Sequence, residues 1–564
     1  MDNRGPEPVG KAPPTGSIHI ESPNKRRVFP VHPLLFGIYP VLSLFARNIS
    51  QTPIEQTFKS FAIFGAVTFC LWVMLFVAIR SLRKSAIMTS VIVLAFTSYG
   101  PLTLLLPHFP GLAIGGLEIG LVVLLLLIVL RAKQLLLDST SAMNFGALVL
   151  VAPSLWTITV YMIHDSHSNK SVSIEARSDS RSNPVPHNGR PHVAIVNPED
   201  PDIYYIILDA YGRADRLKEF FGYDNEPFIS ALQQRGFYIA DKSGANYNQT
   251  PLCLSSALNM EYLDAAKQNL TPERLRQMVD DSSVAQFLEK RGYQYVSIWS
   301  GLEVSRVTTA DISLNDYPDL NAFETQAMNL TPIAAEKRFR NQRYDNHRRR
   351  IIGVFDNLST VARLPGPKFV FAHALAPHPP FVIGQHGESV YPSGPLTLAD
   401  ASWLTAKISK EQYIRGYVAQ LQYVNSRVIS AIDTILASYK RRPIIIIQGD
   451  HGSRMTMDWD SQARTDLREP FANLNAYLVP REVAARLYKS ITPVNSFRVI
   501  FSSVFASSHP LLPDRSYYSS AENAYEFSDV TKLIPNATGP LEQPTARGLR
   551  GGTDTPFSVE RAEQ

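Results

Sequence analysis

Long apolar runs in the first third of the chain constrain its fold more than any other feature. Four of them approach the ~20 residues that a helix needs to cross a bilayer: Phe61–Ile79, Ala86–Leu106, Leu112–Leu130 and Ala142–Ile163. A weaker run, Phe29–Ala46, is interrupted by Pro30, Pro33 and Pro40, so it is either a fifth spanning helix or a re-entrant or interfacial segment. The pattern predicts about five transmembrane helices over residues 29–163.

Basic residues between these runs predict which side of the membrane the rest of the chain occupies. Cations cluster before the first run and in every second loop, at residues 25–27, 80–84 and 131–133, whereas the loops around 48–58 and 107–111 carry few. By the positive-inside rule the basic loops are cytoplasmic, and the soluble part is extracytoplasmic. This prediction does not need the weaker run to span, because the two internal basic loops give it independently.

Charge and cysteine content argue against a nucleic-acid-binding protein and against a protein stabilised by disulfides. The net charge of +5 is small for 564 residues and comes partly from the membrane-flanking cations, so no nucleic-acid partner is indicated. Cys70 lies in an apolar run and Cys253 in the soluble part, which argues against an intrachain disulfide. The soluble part must therefore be stabilised by its own core or by a metal.

Composition divides the chain into five segments. A polar, proline-rich start predicts a disordered cytoplasmic tail, and a stretch rich in Ser, Asn, His, Arg and Pro predicts a flexible linker. The predicted boundaries are 1–28 for the tail, 29–163 for the membrane region, 164–200 for the linker, 201–510 for a catalytic domain and 511–564 for a partly disordered extension.

The segment from 201 to 510 alternates strand-like apolar runs with helical patterns. The strand candidates are Tyr204–Leu208, Tyr293–Trp299, Lys368–Ala374 and Ile444–Gln448, and the clearest helix candidates are Pro272–Arg291 and Ser409–Lys440. Such alternation predicts an α/β domain with a central, mostly parallel sheet flanked by helices.

The last strand candidate runs into a cluster of polar residues, Gly449-Asp450-His451-Gly452. Ligands bind at the carboxyl ends of parallel strands, and carboxylate with imidazole suits Zn²⁺ or Mn²⁺ better than Ca²⁺. Asp209 ends the first strand candidate in the same way, and two clustered carboxylates repel each other unless a cation lies between them. The alternatives are a polar turn for Asp450 and His451 and a helix N-cap for Asp209.

Thr250 is followed by Pro251, the pattern of an N-cap with proline at the first helical position. The spacing alone favours this structural role. A hydroxyl at a helix N-terminus also lies in positive potential, and a nearby divalent metal would activate it as a nucleophile.

Other candidate site residues are a histidine and two arginines. His378 follows the third strand candidate in a proline-rich loop, where it could stabilise an oxyanion, protonate a leaving group or have no role. His373, inside that strand, is interpreted as buried scaffold. Arg213 and Arg454 lie near the proposed metal ligands and either clamp an anionic substrate or form structural pairs.

The order of these motifs resembles the alkaline phosphatase/sulfatase superfamily. The membrane region with an outward domain is similar to lipoteichoic acid synthases and lipid A phosphoethanolamine transferases. The resemblance implies one divalent metal, Zn or Mn, held by Asp209, Thr250, Asp450 and His451, with Thr250 as nucleophile and His378 on the substrate. It also implies a bacterial inner-membrane protein with a periplasmic catalytic domain.

Three departures separate the chain from these relatives. The arylsulfatase motif Cys/Ser-x-Pro-x-Arg is absent around Thr250-Pro251-Leu252-Cys253, which argues against a formylglycine enzyme and leaves Cys253 as a minor candidate. Lipoteichoic acid synthases use Glu where this chain has Asp209, and the transferases carry disulfides that two cysteines cannot supply.

The expected function is a metal-dependent phosphotransferase or phosphodiesterase acting on lipid- or glycan-linked phosphodiesters at the membrane. A sulfuric-ester hydrolase of the same fold is the first alternative, and a non-catalytic envelope assembly or binding protein is the second.

Overall fold

The computed structural model describes residues 28–534 apart from 50–51, 53, 107–108, 133–135, 176–196, 198–199, 265–267, 317–319, 393–395, 397 and 399–407. Nearly all of the predicted tail, residues 1–27, and most of the predicted linker lie outside these residues. The chain divides into two compact units, Met1–Arg47 with Lys59–Thr159 and Asn48–Phe58 with Val160–Gln564.

The first unit is helical, as the apolar runs predict. Its helices are α1 (His32–Asn48), α2 (Phe58–Ile79), α3 (Leu82–Leu105), α4 (Gly111–Arg131) and α5 (Leu136–Glu175), the last of which continues into the second unit. Residues 164–175, the first part of the predicted linker, are therefore helical. Within the described residues four helical segments are long and apolar enough to cross a membrane: Ile54–Ile79, Leu82–Leu105, Gly111–Arg131 and Ser139–Ile163.

The prediction of about five spanning helices is one too many, because α1 is short. It has 17 residues with Pro40 inside, which gives it a length of roughly 25 Å against a hydrocarbon core of about 30 Å. The Asn144 side chain accepts hydrogen bonds from the backbone N–H groups of Val31 and His32, each at 3.0 Å. Helix α1 thus begins on a polar contact to another helix of its own unit.

The second unit contains the predicted α/β fold. Its seven-stranded sheet has the order β2-β7-β6-β1-β5-β3-β4, with the strands β1 (Ile203–Leu208), β2 (Tyr238–Ile239), β3 (Gln294–Ile298), β4 (Ile312–Leu314), β5 (Lys368–Ala374), β6 (Ile444–Gln448) and β7 (Asn475–Leu478). The run from β4 to β6 is parallel, whereas β7 pairs antiparallel with β6 and with β2. All four strand candidates are strands of this sheet.

Helices cover the sheet. They are α6 (Ala214–Phe221), α7 (Glu226–Gln234), α8 (Thr250–Asn259), α9 (Pro272–Asp280), α10 (Ser283–Glu289), α11 (Ala322–Asn329), α12 (Lys337–Val361), α13 (Lys410–Ala437), α14 (Arg481–Ala484) and α15 (Pro493–Val504). The single helix predicted over Pro272–Arg291 is two helices, α9 and α10. The break arises because the Ser282 side chain caps the second helix by accepting a hydrogen bond from the N–H of Ala285 at 3.3 Å.

The isoleucine run of β6 is explained by burial on both faces. Ile445 and Ile447 pack into the core on one side of the sheet, and Ile444 and Ile446 pack into the core on the other. A strand covered on both faces needs apolar residues at every position, so the run shows no alternation. The first polar residues after it are therefore placed at the carboxyl edge of the sheet.

A buried ion pair holds the opposite edge of the sheet. The Lys368 ammonium at the start of β5 bonds Asp202, just before β1, and both side chains are almost fully buried. Asp202 Oδ1 also accepts from the backbone N–H of Lys368 at 3.0 Å, and Tyr439 donates to the same carboxylate. This cluster aligns β1 and β5 at their starts, and the register carries the alignment to their carboxyl ends.

The start of the predicted C-terminal extension belongs to the second unit. Strands β8 (Tyr517–Tyr518) and β9 (Ser528–Asp529) form a small separate sheet. The N–H of Tyr517 donates to the carbonyl of Asn246 at 2.9 Å, and its ring stacks on Tyr247 at a centroid distance of 5.6 Å. This contact supports the segment that leads into α8. Residues 535–564 lie outside the described part of the chain.

Candidate active site

Two adjacent parallel strands bring Asp209 and Asp450 together. In the register of β1 and β6, Ile207 pairs with Gln448, so both chains leave the sheet at the same level. The N–H of Ala210 donates to Asp450 Oδ1 at 3.0 Å, and Ala210 adopts a left-handed conformation with φ of 63°. This turn directs the backbone after Asp209 toward the second carboxylate, as the parallel arrangement predicts.

Two glycines flank Asp450 and His451 because the backbone there is crowded. A Cβ on Gly449 would lie 2.3 Å from the carbonyl oxygen of Tyr211, and one on Gly452 would lie 2.0 Å from the carbonyl oxygen of Glu469. No side chain fits at either place. The two glycines of the motif are therefore required by packing around the site.

The atoms of Asp209, Asp450 and His451 that face one another at this edge are all acceptors. The Nδ1 atom of His451 lies 2.8 Å from the carbonyl of Gly452, and since a carbonyl only accepts, the proton of the neutral ring is on Nδ1. The lone pair of Nε2 then lies 3.1 Å from Asp450 Oδ2 and 3.8 Å from Asp209 Oδ1. Neither of these buried carboxylate oxygens has a hydrogen-bond partner among the residues that the structure describes.

Such a cluster fits a divalent cation. One ligand atom from each of Asp209, Asp450 and His451 lies within 4.8 Å of the others, and all three side chains are buried. Converging acceptors without donors are unfavourable in a low-dielectric interior unless a positive charge lies between them. Mixed carboxylate and imidazole ligands are typical of Zn²⁺ and Mn²⁺ sites.

The pKa values of the two acids are shifted in opposite directions. Burial raises the pKa of Asp450 to about 6, and the neighbouring charge of Asp209 adds to this effect. Burial would also raise the pKa of Asp209, but the nearby His378, His373 and His451 outweigh it and hold that pKa well below its ordinary value. Asp209 is therefore the more readily ionised of the two acids.

Burial also fixes the charge state of His451. It lowers the pKa of the imidazole to about 3, and the Arg454 cation acts in the same direction. The ring is neutral at neutral pH, which is the form that binds metals.

Thr250 faces the acidic cluster and does not cap its helix. The helix begins at Thr250 itself, with Gln249 in the capping position and without a side-chain cap bond. The Thr250 hydroxyl lies 3.0 Å from His451 Nε2 and 3.5 Å from Asp209 Oδ2, so its single proton can be donated to either acceptor. The N-cap that the spacing favours is therefore wrong, because the chain enters the helix one residue earlier and directs the hydroxyl into the site.

His378 and His373 reach the site from β5, the strand on the other side of β1. The N–H of His378 donates to the carbonyl of Asp209 at 3.0 Å, and its Nδ1 contacts the carbonyl of Pro379. Burial lowers the pKa of His378, whereas Asp209 opposes that shift.

His373 is buried as expected, but its contacts are those of a site residue. Its Nε2 lies 3.1 Å from Asp209 Oδ2, and its Nδ1 lies 3.1 Å from the Ser300 hydroxyl. The ring therefore orients the carboxylate of Asp209. A signal for this role was present in the sequence, since a histidine that follows four apolar residues and lies one position from the end of the strand needs a polar partner.

The two arginines have different surroundings. Arg213 forms two hydrogen bonds with Asp215, at 2.7 and 3.0 Å, and donates to the carbonyl of Ser243 at 2.6 Å. These contacts match the structural pairing that the sequence left open. Arg454 adopts a left-handed backbone with φ of 60°, donates through Nη1 to the carbonyl of Asn248 at 3.2 Å, and places its guanidinium carbon 5.2 Å from the ring centre of Trp459.

Cys253 lies one helical turn after Thr250 and is buried. Its thiol donates to the carbonyl of Tyr247 at 3.1 Å, and burial together with the charge of Asp450 raises its pKa well above the ordinary value. The side chain is thus a neutral thiol with a structural hydrogen bond.

Comparisons with known proteins agree with this fold. Residues 201–485, just over half of the chain, match the family model described as Sulfatase. The comparison with curated proteins gives no match. The likeness to solved structures concerns the fold alone, because the identities are low.

Three of these solved structures show which kinds of protein the chain is similar to. A zinc complex of the C-terminal periplasmic domain of EptC from Escherichia coli is 12% identical, with 59% of this chain and 93% of that one covered and a TM-score of 0.39. The integral membrane lipooligosaccharide phosphoethanolamine transferase A from Neisseria meningitidis is 11% identical, with 84% and 95% covered and a TM-score of 0.36. A putative sulfatase from Bacteroides thetaiotaomicron is 14% identical, with 61% and 76% covered and a TM-score of 0.36.

The family match covers the strands and helices that carry the site. It begins just before β1 and extends beyond the strand that follows Asp450 and His451. A shared fold does not by itself give a substrate. The match over more than half of its length shows that the chain belongs to the sulfatase family.

Proposed function

We propose that the protein is a membrane-attached, metal-dependent phosphotransferase or phosphodiesterase in which Thr250 is the nucleophile. One observation carries this proposal: the Thr250 hydroxyl, 3.0 Å from His451 Nε2, points into the converging acceptors of Asp209, Asp450 and His451. A hydroxyl that merely capped a helix would bond its own backbone. Here it is held against an acidic, metal-fitting cluster.

Asp209, Asp450 and His451 would hold the cation, with Thr250 as a further ligand. When bound, a divalent ion lowers the pKa of a neighbouring hydroxyl and stabilises negative charge on a phosphoryl group. In the first step the Oγ1–phosphorus bond forms as the bond from phosphorus to the leaving oxygen breaks. The proton lost by the Thr250 hydroxyl ends on the leaving oxygen, which departs as an alcohol, and phosphothreonine remains with the other ester group of the substrate attached.

His378 is proposed to act on the second half of the reaction. Burial lowers its pKa, so the neutral ring predominates at neutral pH. With a proton on Nδ1 facing the Pro379 carbonyl, Nε2 can accept a proton from an incoming alcohol or water. That oxygen attacks the phosphothreonine and restores the Thr250 hydroxyl.

The proposed substrates are phosphodiesters on membrane lipids or lipid-linked glycans at the outer face of a bacterial inner membrane. Helical segments long and apolar enough to span a bilayer precede the catalytic domain. Such an anchor keeps the site close to lipid-borne donors and raises their effective concentration. Zn²⁺ or Mn²⁺ is the proposed ion, because the ligands are carboxylates and an imidazole.

The nucleophile is tested by comparing Thr250→Ala with Thr250→Ser in the full-length protein. We expect Thr250→Ala to lower turnover of a chromogenic phosphodiester by on the order of 10³-fold or more, with metal content and unfolding midpoint retained. Thr250→Ser keeps a hydroxyl and should keep measurable turnover. Near-normal turnover by Thr250→Ala would refute the assignment.

Sulfuric-ester hydrolysis is the second candidate, favoured by the family match over residues 201–485. Turnover of aryl sulfates in preference to phosphodiesters would establish it. A protein that binds no divalent ion and turns over neither ester would instead support the non-catalytic envelope role.

A further inference from the structure

Helix α13 directs polar side chains at the loops of the candidate site, although that face of the helix is buried. Tyr413, Tyr417 and Gln420 are spaced four and three residues apart, so they lie on one face of the helix. All three side chains belong to residues that are 0% exposed. A buried hydroxyl or amide needs a hydrogen-bond partner, and each of these three bonds the backbone that follows a strand of the parallel sheet.

Tyr417 closes the turn that follows Asp209. Its hydroxyl donates to the carbonyl of Ala210 at 2.8 Å and accepts a hydrogen bond from the N–H of Gly212 at 3.2 Å. The N–H of Ala210 in turn donates to Asp450 Oδ1. Tyr417 therefore holds the left-handed residue that links the two chain segments carrying the carboxylates of the site.

Tyr413, one helical turn earlier, contacts the loop that follows His451. Its hydroxyl donates to the carbonyl of Ser453 at 3.1 Å. The rings of Tyr413 and Tyr417 are stacked, with centroids 6.4 Å apart and planes 12° from parallel. A single stacked pair of rings therefore bonds both the segment after Asp209 and the segment after His451.

Gln420, one turn after Tyr417, contacts the loop that carries His378. Its amide N–H donates to the carbonyl of His378 at 3.0 Å, and its amide oxygen accepts from the N–H of Val382 at 2.9 Å. The close approach of helix and loop requires Gly416, because a Cβ there would lie 2.3 Å from the ring of Phe381. The helix is thus packed directly against this third loop.

We propose that Tyr413, Tyr417 and Gln420 are positioning residues, through which α13 sets the distance between the metal ligands and His378. The inference rests on the proposed function, because it assigns the two tyrosines to the metal site and Gln420 to the second half of the reaction. The three loops leave three different strands, and one rigid helix bonds all of them. Such support limits their relative movement, since a reacting constellation has to be held to within about 0.5 Å.

The two tyrosines are tested by metal binding, which does not need turnover. Tyr413→Phe and Tyr417→Phe keep the ring and remove the hydroxyl. In full-length protein in detergent micelles, we expect each to lower the affinity for Zn²⁺ on the order of tenfold, measured by competition with a chromophoric chelator. The visible absorption spectrum of the Co²⁺-loaded variants should also differ from that of wild type, because it reports the geometry of the ligands.

Tyr204→Phe is the matched control for the loss of a buried hydroxyl. Tyr204 is also 0% exposed and its hydroxyl lies 2.7 Å from that of Tyr439, but it is near the start of β1, away from the site. Tyr204→Phe should change neither the Zn²⁺ affinity nor the Co²⁺ spectrum. If Tyr417→Phe does not fold, Tyr413→Phe decides the question, because it removes one bond to these loops instead of two.

Gln420 is tested through the step that His378 is proposed to serve. Gln420→Met keeps the length of the side chain and removes both amide hydrogen bonds. We expect it to retain Zn²⁺ affinity and to lower phosphodiester turnover on the order of tenfold or more, with phosphothreonine accumulating in quenched reactions analysed by mass spectrometry. Gln422→Met, on the same helix and half-buried, should change neither turnover nor the amount of phosphothreonine.

Three results would overturn the inference. They are wild-type Zn²⁺ affinity and Co²⁺ spectrum in both tyrosine variants, an equal change in Tyr204→Phe, and a Gln420→Met protein that does not accumulate phosphothreonine. Wild-type protein that binds Zn²⁺ but cleaves no phosphodiester would refute the proposed reaction, and the metal-binding comparison would still decide the role of the tyrosines. Wild-type protein that binds no divalent ion would refute both.

Discussion

Replacing Asp450 with asparagine should stabilise the metal-free protein, because the structure places two carboxylates together in the interior. Burial and the charge of Asp209 raise the pKa of Asp450 from 3.8 to about 6 in the folded state. Its Oδ1 accepts a hydrogen bond from the Ala210 N–H at 3.0 Å, which an asparagine Oδ1 can also accept. The substitution therefore removes the repulsion and keeps the hydrogen bond.

The size of this effect follows from the shift in pKa. A shift of about two units corresponds to roughly 3 kcal/mol of destabilisation by the ionised carboxylate. Below the pKa of the unfolded state, Asp450 is protonated in both the folded and the unfolded protein, so it does not lower the free energy of unfolding. Between pH 4 and 6 the folded state holds the proton more tightly, so stability falls as pH rises, and above pH 6 the full penalty is present.

Thermal unfolding of the full-length protein in detergent micelles with a chelator measures this penalty. At pH 7 we expect Asp450→Asn to unfold on the order of 5–10 °C higher than wild type, and at pH 4 the two midpoints should nearly coincide. Adding Zn²⁺ should reverse the order, since wild type gains stability by binding and the variant has lost a ligand.

Asp460→Asn is the control for net charge, because Asp460 is exposed in the same loop. Asp460→Asn should leave the thermal unfolding midpoint close to that of wild type at both pH 7 and pH 4. A metal-free Asp450→Asn protein that is no more stable than wild type at pH 7, or whose advantage persists at pH 4, would refute the electrostatic reasoning about the site.

Three further predictions concern packing and chemistry around the site. Gly452→Ala places a Cβ 2.0 Å from the Glu469 carbonyl and should lower both metal content and unfolding midpoint, whereas Gly244→Ala, with its nearest atom at 3.7 Å, should do neither. Lys368→Met strands a buried carboxylate and should cost about 3–5 kcal/mol of unfolding free energy, with partial recovery when Asp202→Asn is added. Cys253→Ala should retain phosphodiester turnover, and its complete loss would show that the nucleophile is the thiol.

Much of the sheet and the position of its ligands could be predicted from the sequence. The strands β1, β5 and β6 are dominated by apolar residues at successive positions, a pattern typical of strands that are covered on both faces. Parallel strands end at one edge, so the meeting of Asp209 and Asp450 followed from the pattern alone. Apolar composition predicts a fifth spanning helix at α1, whereas the folded helix has only 17 residues.

The role of Thr250 cannot be predicted from the local sequence. An N-cap and a nucleophile have the same local sequence, and only the point at which the chain enters α8 directs the hydroxyl to Asp209 and His451. The role of His373 is hidden in the sequence for a similar reason, since the carboxylate that it orients lies 164 residues away. Contacts between distant segments depend on register, which local propensity does not encode.

The sequence by itself determined the membrane region, the α/β class and the acids at the strand ends, because hydrophobic periodicity and length are local properties. The tertiary structure decided which atoms face each other: the lone pair of His451, the Thr250 hydroxyl and the carboxylate oxygens of Asp209 and Asp450. These depend on backbone turns at Ala210 and Arg454 and on glycines against carbonyls. Their geometry is fixed by packing between segments distant in the chain, and it appears only when the fold is complete.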